Sequence, residues 1–292
     1  MEAFSGSLYE LLKRVAMGLA VVVTADHHVL EAPLLFAHRA GNEPERLRAA
    51  ERAGVDVIEA DLYLRRGRLE LRHLKSVGPL PLYWDRWALA PPWRHFDDLA
   101  DLLAAAQPET ALLLDLKGSR PAAARMLSDA LSRAARLARV LVSAREWPLL
   151  DEIDPSVAER IGSAARPHQL ERLIEHSARR SLDGASLHLR LLESPRLRAL
   201  RPNVPLLMSW PVNHGHEVDR ATALGVAGLI SDNLALLADL RRAPAGAQGV
   251  AHGQRAEGDH QRERADGQVD ERDAQLHADA EGEDARGRRG LA

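Results

Sequence analysis

Between residues 33 and 242 the chain alternates short apolar runs with longer amphipathic stretches. The apolar runs are Leu34–His38, Val55–Leu62, Ala111–Leu116, Val140–Ser143, Arg160–Ser163, Ala185–Leu189, Pro205–Trp210 and Ala227–Ser231. Each closes on or beside a polar residue, the pattern of strands buried on both faces of a parallel sheet. Helix candidates fall between them. Glu43–Ala53 stops at Gly54, Asp97–Ala106 opens on an Asp cap, and Ala122–Arg136 is long and amphipathic. Pro148–Ile153, His168–Ala178, Ser194–Leu200, Glu217–Leu224 and Leu234–Arg241 follow, with Gly225 as a C-terminal stop after the penultimate one.

Eight strand–helix units in about 210 residues fit an α/β fold of the (β/α)8 barrel type. A doubly wound open sheet has the same alternation, so spacing alone does not separate the two. No G-x-G-x-x-G follows the first run, and no phosphate-loop signature occurs. What separates them is where charge sits. In a barrel the C-terminal ends of all strands converge on one face, whereas in an open sheet they spread along an edge.

His38 closes the first run, Glu59 and Asp61 close the second, and Asp115 closes the third. His73 closes a further run, Leu69–His73, and Arg39 and Lys117 stand beside this set. A charge at the end of an apolar strand is costly unless paired, hydrated or bound to metal. Many such ends together favour the barrel and point to a metal-assisted site for a phosphorylated substrate. Glu59 and Asp61 lie on one face of a strand, because side chains alternate with period two. With Asp115 they offer hard oxygen ligands suited to Mg2+ or Ca2+; the competing reading is a salt-bridge cluster with arginines. His38 and His73 have the titration range for acid–base work. Arg39 and Lys117 are donors for a phosphate, or simply balance the carboxylates. His188 and Arg190 end the sixth run as candidate substrate contacts, while Ser143, Ser163, Ser231 and Asp232 read as structural polar ends. His214 and His216 read as a helix-entry loop.

Composition narrows the classes. The 292 residues are 46% hydrophobic with net charge −3, so no basic excess points to nucleic acid. Cysteine is absent, which excludes disulfides, thiolate metal sites and a Cys nucleophile. Residues 243–292 carry seven Arg and eleven acidic residues with few large aliphatics, and are expected to be a disordered tail. Within it His252, His260 and His277 are scattered and read as solvated. Residues 1–32 hold Lys13-Arg14 before the apolar run Val15–Val23, which reads as a cytoplasmic N-terminal helix or, alternatively, a secretory or membrane-proximal segment. The cytoplasm is the expected location, with export or peripheral membrane contact as the alternative. The oligomeric state is left open.

The ordered motifs resemble the glycerophosphodiester phosphodiesterases, of the barrel superfamily that includes phosphatidylinositol-specific phospholipase C. The resemblance rests on His38-Arg39-Ala40-Gly41 with Pro44-Glu45, on Gly54-Val55-Asp56-Val57-Ile58-Glu59-Ala60-Asp61-Leu62, and on the turn glycine Gly67 before His73. It continues through Asp115-Leu116-Lys117, Trp210-Pro211-Val212-Asn213 and Gly228-Leu229-Ile230-Ser231-Asp232. The match runs from 34 to 237. It implies a metal held by Glu59, Asp61 and Asp115, an acid–base pair of His38 and His73, and substrate contacts from Arg39, Lys117, Trp210 and Asn213. It also implies attack by a neighbouring hydroxyl of the substrate, through a cyclic phosphate. Three departures stand out: Arg46 where the family has Asn, Leu74 where it has Asp, and Asp115 where it has Glu. The last two are shared with the sphingomyelinase D branch, whose disulfide loop this chain cannot form. The implied activity is hydrolysis of a small or lipid-derived glycerophosphodiester to glycerol 3-phosphate and an alcohol. Alternatives are a phospholipase D-like enzyme on lysophospholipids and a non-catalytic phosphoester-binding barrel. Trp84, Trp87 and Trp93, in the segment Lys75–Arg94, read as a lid, an interfacial patch or a structural cap.

Overall fold

Eight parallel strands close on themselves in the computed structural model, which describes residues 32–76, 83–85, 88–91, 94–134 and 138–243. In chain order the strands are β1 (Leu34–Ala37), β2 (Val57–Arg65), β3 (Arg68–Leu71), β4 (Lys75–Ser76), β5 (Tyr83–Asp85) and β6 (Ala88–Ala90). They continue as β7 (Ala111–Lys117), β8 (Val140–Ala144), β9 (Glu159–Ala164), β10 (Gly184–His188), β11 (Leu206–Trp210) and β12 (Gly228–Ser231). The ring runs β1-β12-β11-β10-β9-β8-β7-β2 and is sealed by β1 against β2 through Phe36–Val57 and Ala37–Ile58. This is the (β/α)8 barrel, and all eight sequence-predicted strands are in it.

The period-two alternation sorts each strand into an inner and an outer row. Phe36, Val57, Leu113, Leu141, Ile161, Met208 and Ile230 form one buried cluster, and their strand neighbours belong to the larger cluster beneath the helices. The small cluster fills the lumen. Burying each of these side chains contributes about 1.5–3 kcal/mol. Stepping two residues along from these positions reaches His38, Glu59, Asp115, Ser143, Ser163, Trp210 and Asp232. The lumen is therefore apolar below and polar above.

Helices cover the outside at Pro44–Ala53, Leu99–Ala105, Pro121–Arg133, Pro167–Ser177, Leu197–Leu200, Gly215–Ala223 and Leu234–Arg242. Proline opens three of them at the first turn, where its missing N–H is no loss. Gly54, in the left-handed region at φ 70°, closes the first by donating its N–H to Ala50 and Glu51. The capping Asp is Asp98 rather than Asp97, because Asp98 forms the capping box with Asp101. The fourth predicted helix is a 3-10 helix, Trp147–Glu152, and the sixth is shortened to Leu197–Leu200.

One expectation needs correction. His73 does not end a barrel strand. β2 overruns the barrel by several residues, turns at Arg66 and Gly67 with both φ positive, and returns as β3 in antiparallel pairing. The return places Leu71 opposite Leu62 and lets the Arg72 amide donate to the Asp61 carbonyl at 3.1 Å. His73 thus reaches the rim from an arm folded back over it. Beyond it, β4, β5 and β6 form a small antiparallel sheet. Residues 1–31 of the expected N-terminal helix or signal-like segment (1–32) and residues 244–292 of the expected tail (243–292) lie outside the described residues, as do Trp87, Trp93 and the Trp84 side chain. Among the described residues no helix is long and apolar enough to cross a membrane.

Candidate active site

Glu59, Asp61 and Asp115 each offer a carboxylate oxygen within 4.8 Å of the others. The register explains this: Asp61 on β2 sits directly opposite Asp115 on β7, and Asp115 is opposite Ser143 on β8. Ser143 donates its hydroxyl to Asp115 Oδ1 at 2.7 Å. Asp61 is fully buried and Glu59 nearly so. Such burial needs compensation, and cations supply it. Lys117, two residues beyond Asp115 on the same face, hydrogen-bonds Asp115 and places Nζ 2.6 Å from Asp61 Oδ1. Asp61 Oδ1 is thus held against the ammonium as an ion pair. The other oxygen of Asp61 accepts from Asn42 Nδ2 at 2.9 Å, and Asn42 Oδ1 takes the Asp61 amide at 2.8 Å.

Arg39 is the hub between the carboxylates and the second histidine. Its amide donates to Glu59 Oε2 at 2.5 Å, and its guanidinium meets His73 Nε2 at 2.7 Å. These bonds hold Arg39 at φ 54°, a left-handed conformation that costs a non-glycine residue about 1–2 kcal/mol. Gly41 makes the turn possible. A Cβ there would stand 2.8 Å from the Ala60 Cβ, so only glycine lets the 3-10 turn Ala40–Asn42 press against β2. Since guanidinium only donates, Nε2 is the acceptor of this contact whenever the His73 ring is neutral. Arg72, buried between the rings of Tyr63 (4.3 Å) and Tyr83 (5.0 Å), anchors the arm one residue before His73.

His38 is held from the other side. Its Nδ1 lies 2.9 Å from Asp232 Oδ1. Asp232 is set in turn by Asn213, whose Oδ1 accepts from the Asp232 amide and the Ser231 hydroxyl, both at 2.9 Å. Asn213 is therefore spent on shaping the turn after β12. Burial disfavours the charged imidazolium of His38, but its hydrogen bond to Asp232 and the charge of Glu59 outweigh it, and the pKa rises above its ordinary value. Desolvation, with Asp61 beside it, pushes Glu59 up to about 7. Burial would raise Asp61 too, yet Lys117, His73 and Arg39 together hold it well below the usual carboxylate range. Lys117 is desolvated, but the carboxylates around it carry its pKa above the ordinary lysine value.

These groups open onto one cavity. His38, Arg39, Glu59, His73, Asp115, Lys117 and Trp210 line it. Asp61 is buried behind Lys117. His188 stands back from the cavity and packs against Trp210, with ring centroids 4.9 Å apart. Arg145 lines the cavity without having been anticipated, and its guanidinium lies 5.4 Å from the Trp210 centroid. The period-two rule would have found it: Leu141, Ser143 and Arg145 share a face, as Leu113, Asp115 and Lys117 do. Asn42 had no such signal, being in a turn.

Comparison with solved structures places this architecture. A phosphodiesterase of Oleispira antarctica, in complex with the product sn-glycerol-3-phosphate, superposes with TM-score 0.58 at 14% identity over 73% of this chain and 98% of the other. The glycerophosphoryl diester phosphodiesterase domain of a Mycobacterium tuberculosis protein gives 0.51 at 16% identity, over 72% of this chain and 100% of the domain. A candidate glycerophosphoryl diester phosphodiesterase of Silicibacter pomeroyi gives 0.56 at 17%, over 72% and 93%. The fold is that of the glycerophosphodiester phosphodiesterases. No protein-family model matches the chain, and no curated protein matches it.

Proposed function

We propose that the barrel, residues 33–242, is a metal-dependent glycerophosphodiester phosphodiesterase, releasing glycerol 3-phosphate and an alcohol. The observation that carries this reading is the grouping of two histidines, two cations and the carboxylate cluster at one cavity. The product bound by the Oleispira neighbour is consistent with such a substrate.

Glu59, Asp61 and Asp115 would hold the metal. The all-oxygen donor set, with its carboxylate oxygens within 4.8 Å of one another, fits a hard cation such as Mg2+ or Ca2+. Such an ion, when bound, polarises a phosphoryl oxygen and offsets developing charge. The remaining work falls to the chain itself. Arg39 and Lys117 bind and orient the phosphate. His38 accepts the proton of the attacking oxygen: Asp232 fixes its Nδ1, leaves Nε2 for proton exchange and stabilises the imidazolium that forms. His73, positioned by Arg39 and the folded arm, serves the leaving oxygen.

The test is turnover of glycerophosphodiesters and an aryl phosphodiester, with glycerol 3-phosphate detected enzymatically, in Mg2+, Ca2+ or EDTA. Activity is expected with metal and lost in EDTA and in His38→Ala. Activity that survives both would defeat the mechanism. Absence of turnover on every diester would favour a binding barrel.

A further inference from the structure

We infer that Arg145, Arg190 and His188 form a second anion subsite at the rim, which selects substrates whose leaving alcohol carries a negative charge. The inference rests on the phosphodiesterase reading and names its substrate class. Arg145 lines the cavity beside Trp210. Arg190 lies across His188, with Nε 3.3 Å from Nδ1 and a terminal nitrogen 3.3 Å from Nε2. His188 joins the two by packing on the same Trp210 ring at an interplanar angle of 66°.

Position beside Trp210 at the cavity is what makes this a subsite. Lys117 and Arg39, which face the phosphate, also carry ion pairs to Asp61 and Asp115. Arg145 and Arg190 have no carboxylate within ion-pair distance among the described residues, although both are exposed. The ring of His188 holds Arg190 in place: Nδ1 accepts from the Arg190 amide at 3.2 Å, and the guanidinium lies across both ring nitrogens. Two guanidiniums without a carboxylate partner among the described residues thus stand by Trp210 and His188, next to the phosphate-binding cations.

The same arrangement disfavours a quaternary ammonium. Such a group is recognised by an aromatic face with no competing cation. Trp210 is the aromatic residue lining the cavity, and Arg145 already stands over its ring. A choline headgroup would have to displace one cation and approach another. A carboxylate or a second phosphate gains charge-assisted hydrogen bonds.

The experiment compares three sn-glycerol-3-phosphodiesters, with choline (cationic), methanol (neutral) and glycolate (anionic) as the leaving alcohol. For the native chain, kcat/KM on the glycolate diester should exceed that on the choline diester by about tenfold at low salt. The ratio should narrow as ionic strength rises. Arg145→Glu should invert it, and the double change Arg145→Ala with Arg190→Ala should bring it close to one. A choline diester cleaved as well as the glycolate one, or a ratio unmoved by Arg145→Glu, would overturn the subsite while leaving the phosphodiesterase reading intact. If none of the three is cleaved, the activity reading fails. Calorimetric titration of the same diesters then decides the subsite alone: tighter glycolate binding that Arg145→Glu abolishes supports it, and equal or absent binding rejects it.

Discussion

His38 Nδ1 lies 2.9 Å from Asp232 Oδ1, although the two residues are 194 positions apart in the chain. They meet because β1 pairs in parallel with β12, with Ala37 opposite Ser231, so the residue after each strand emerges at the same level. Asp232→Asn should keep the fold and the position of the ring but remove the charge. A loss of about 100-fold in kcat is expected. The acid limb of the pH–rate profile should also move to lower pH, because His38 loses the partner that raises its pKa. An unshifted limb would show that His38 is not the group that must be neutral.

The half-buried cation at Lys117 should matter for stability as well as for phosphate binding. Lys117→Met removes the charge between Asp61 and Asp115. Breaking a buried ion cluster in this way costs about 3–5 kcal/mol. Divalent cation should recover part of the loss, since a ligand that binds only the folded state stabilises it by mass action. Urea melts of the native and variant proteins, each with Mg2+ or EDTA, give the comparison.

Glu59 makes the metal-free protein sensitive to pH. With its pKa pushed up to about 7, the folded state holds a proton there that the unfolded chain releases near the ordinary glutamate value. The folded state then binds more protons across that window, so stability falls as pH rises through it. Thermal melts in EDTA from pH 4.5 to 8 should show this slope, and Glu59→Gln should flatten it. Metal binding near neutral pH should release a proton, visible as a buffer-dependent enthalpy in calorimetry.

His188 should stay neutral down to acid pH. Burial, together with the positive charge of Arg190 and Arg145, lowers its pKa to about 4. An NMR titration of its ring protons should find the midpoint there, and Arg145→Ala should raise it. A native midpoint near 6.5 would mean that the guanidiniums do not face the ring.

Gly41→Ala tests the turn that sets Arg39. The added methyl would meet Ala60 Cβ at 2.8 Å, on a strand that cannot yield. A destabilisation of about 1–3 kcal/mol is expected. Activity should fall further than stability alone explains, because the same turn carries Arg39 and Asn42.

The sequence by itself determined the barrel and most of its polar rim. Eight apolar runs of strand length set the alternation, and the period of two put Glu59 with Asp61 on a shared face; the same period relates Asp115 to Lys117. It also reaches Arg145 from Leu141 and Asp232 from Ile230; Arg145 lies past the end of its apolar run, and Asp232 reads as a structural polar end until strand pairing sets it beside His38. Tertiary structure decided what no local pattern encodes. Closure of the ring paired His38 with Asp232, since hydrogen bonding between the first and last strands is a property of the closed sheet. The overrun of β2 and its return as β3 brought His73 to the rim, where a run of apolar and polar residues looked like one more barrel strand. Asn42 acquired its place against Asp61 only when Gly41 let the turn pack on β2. Periodicity reports the face on which a side chain lies; which faces meet depends on strand pairing and close approach between residues distant in the chain.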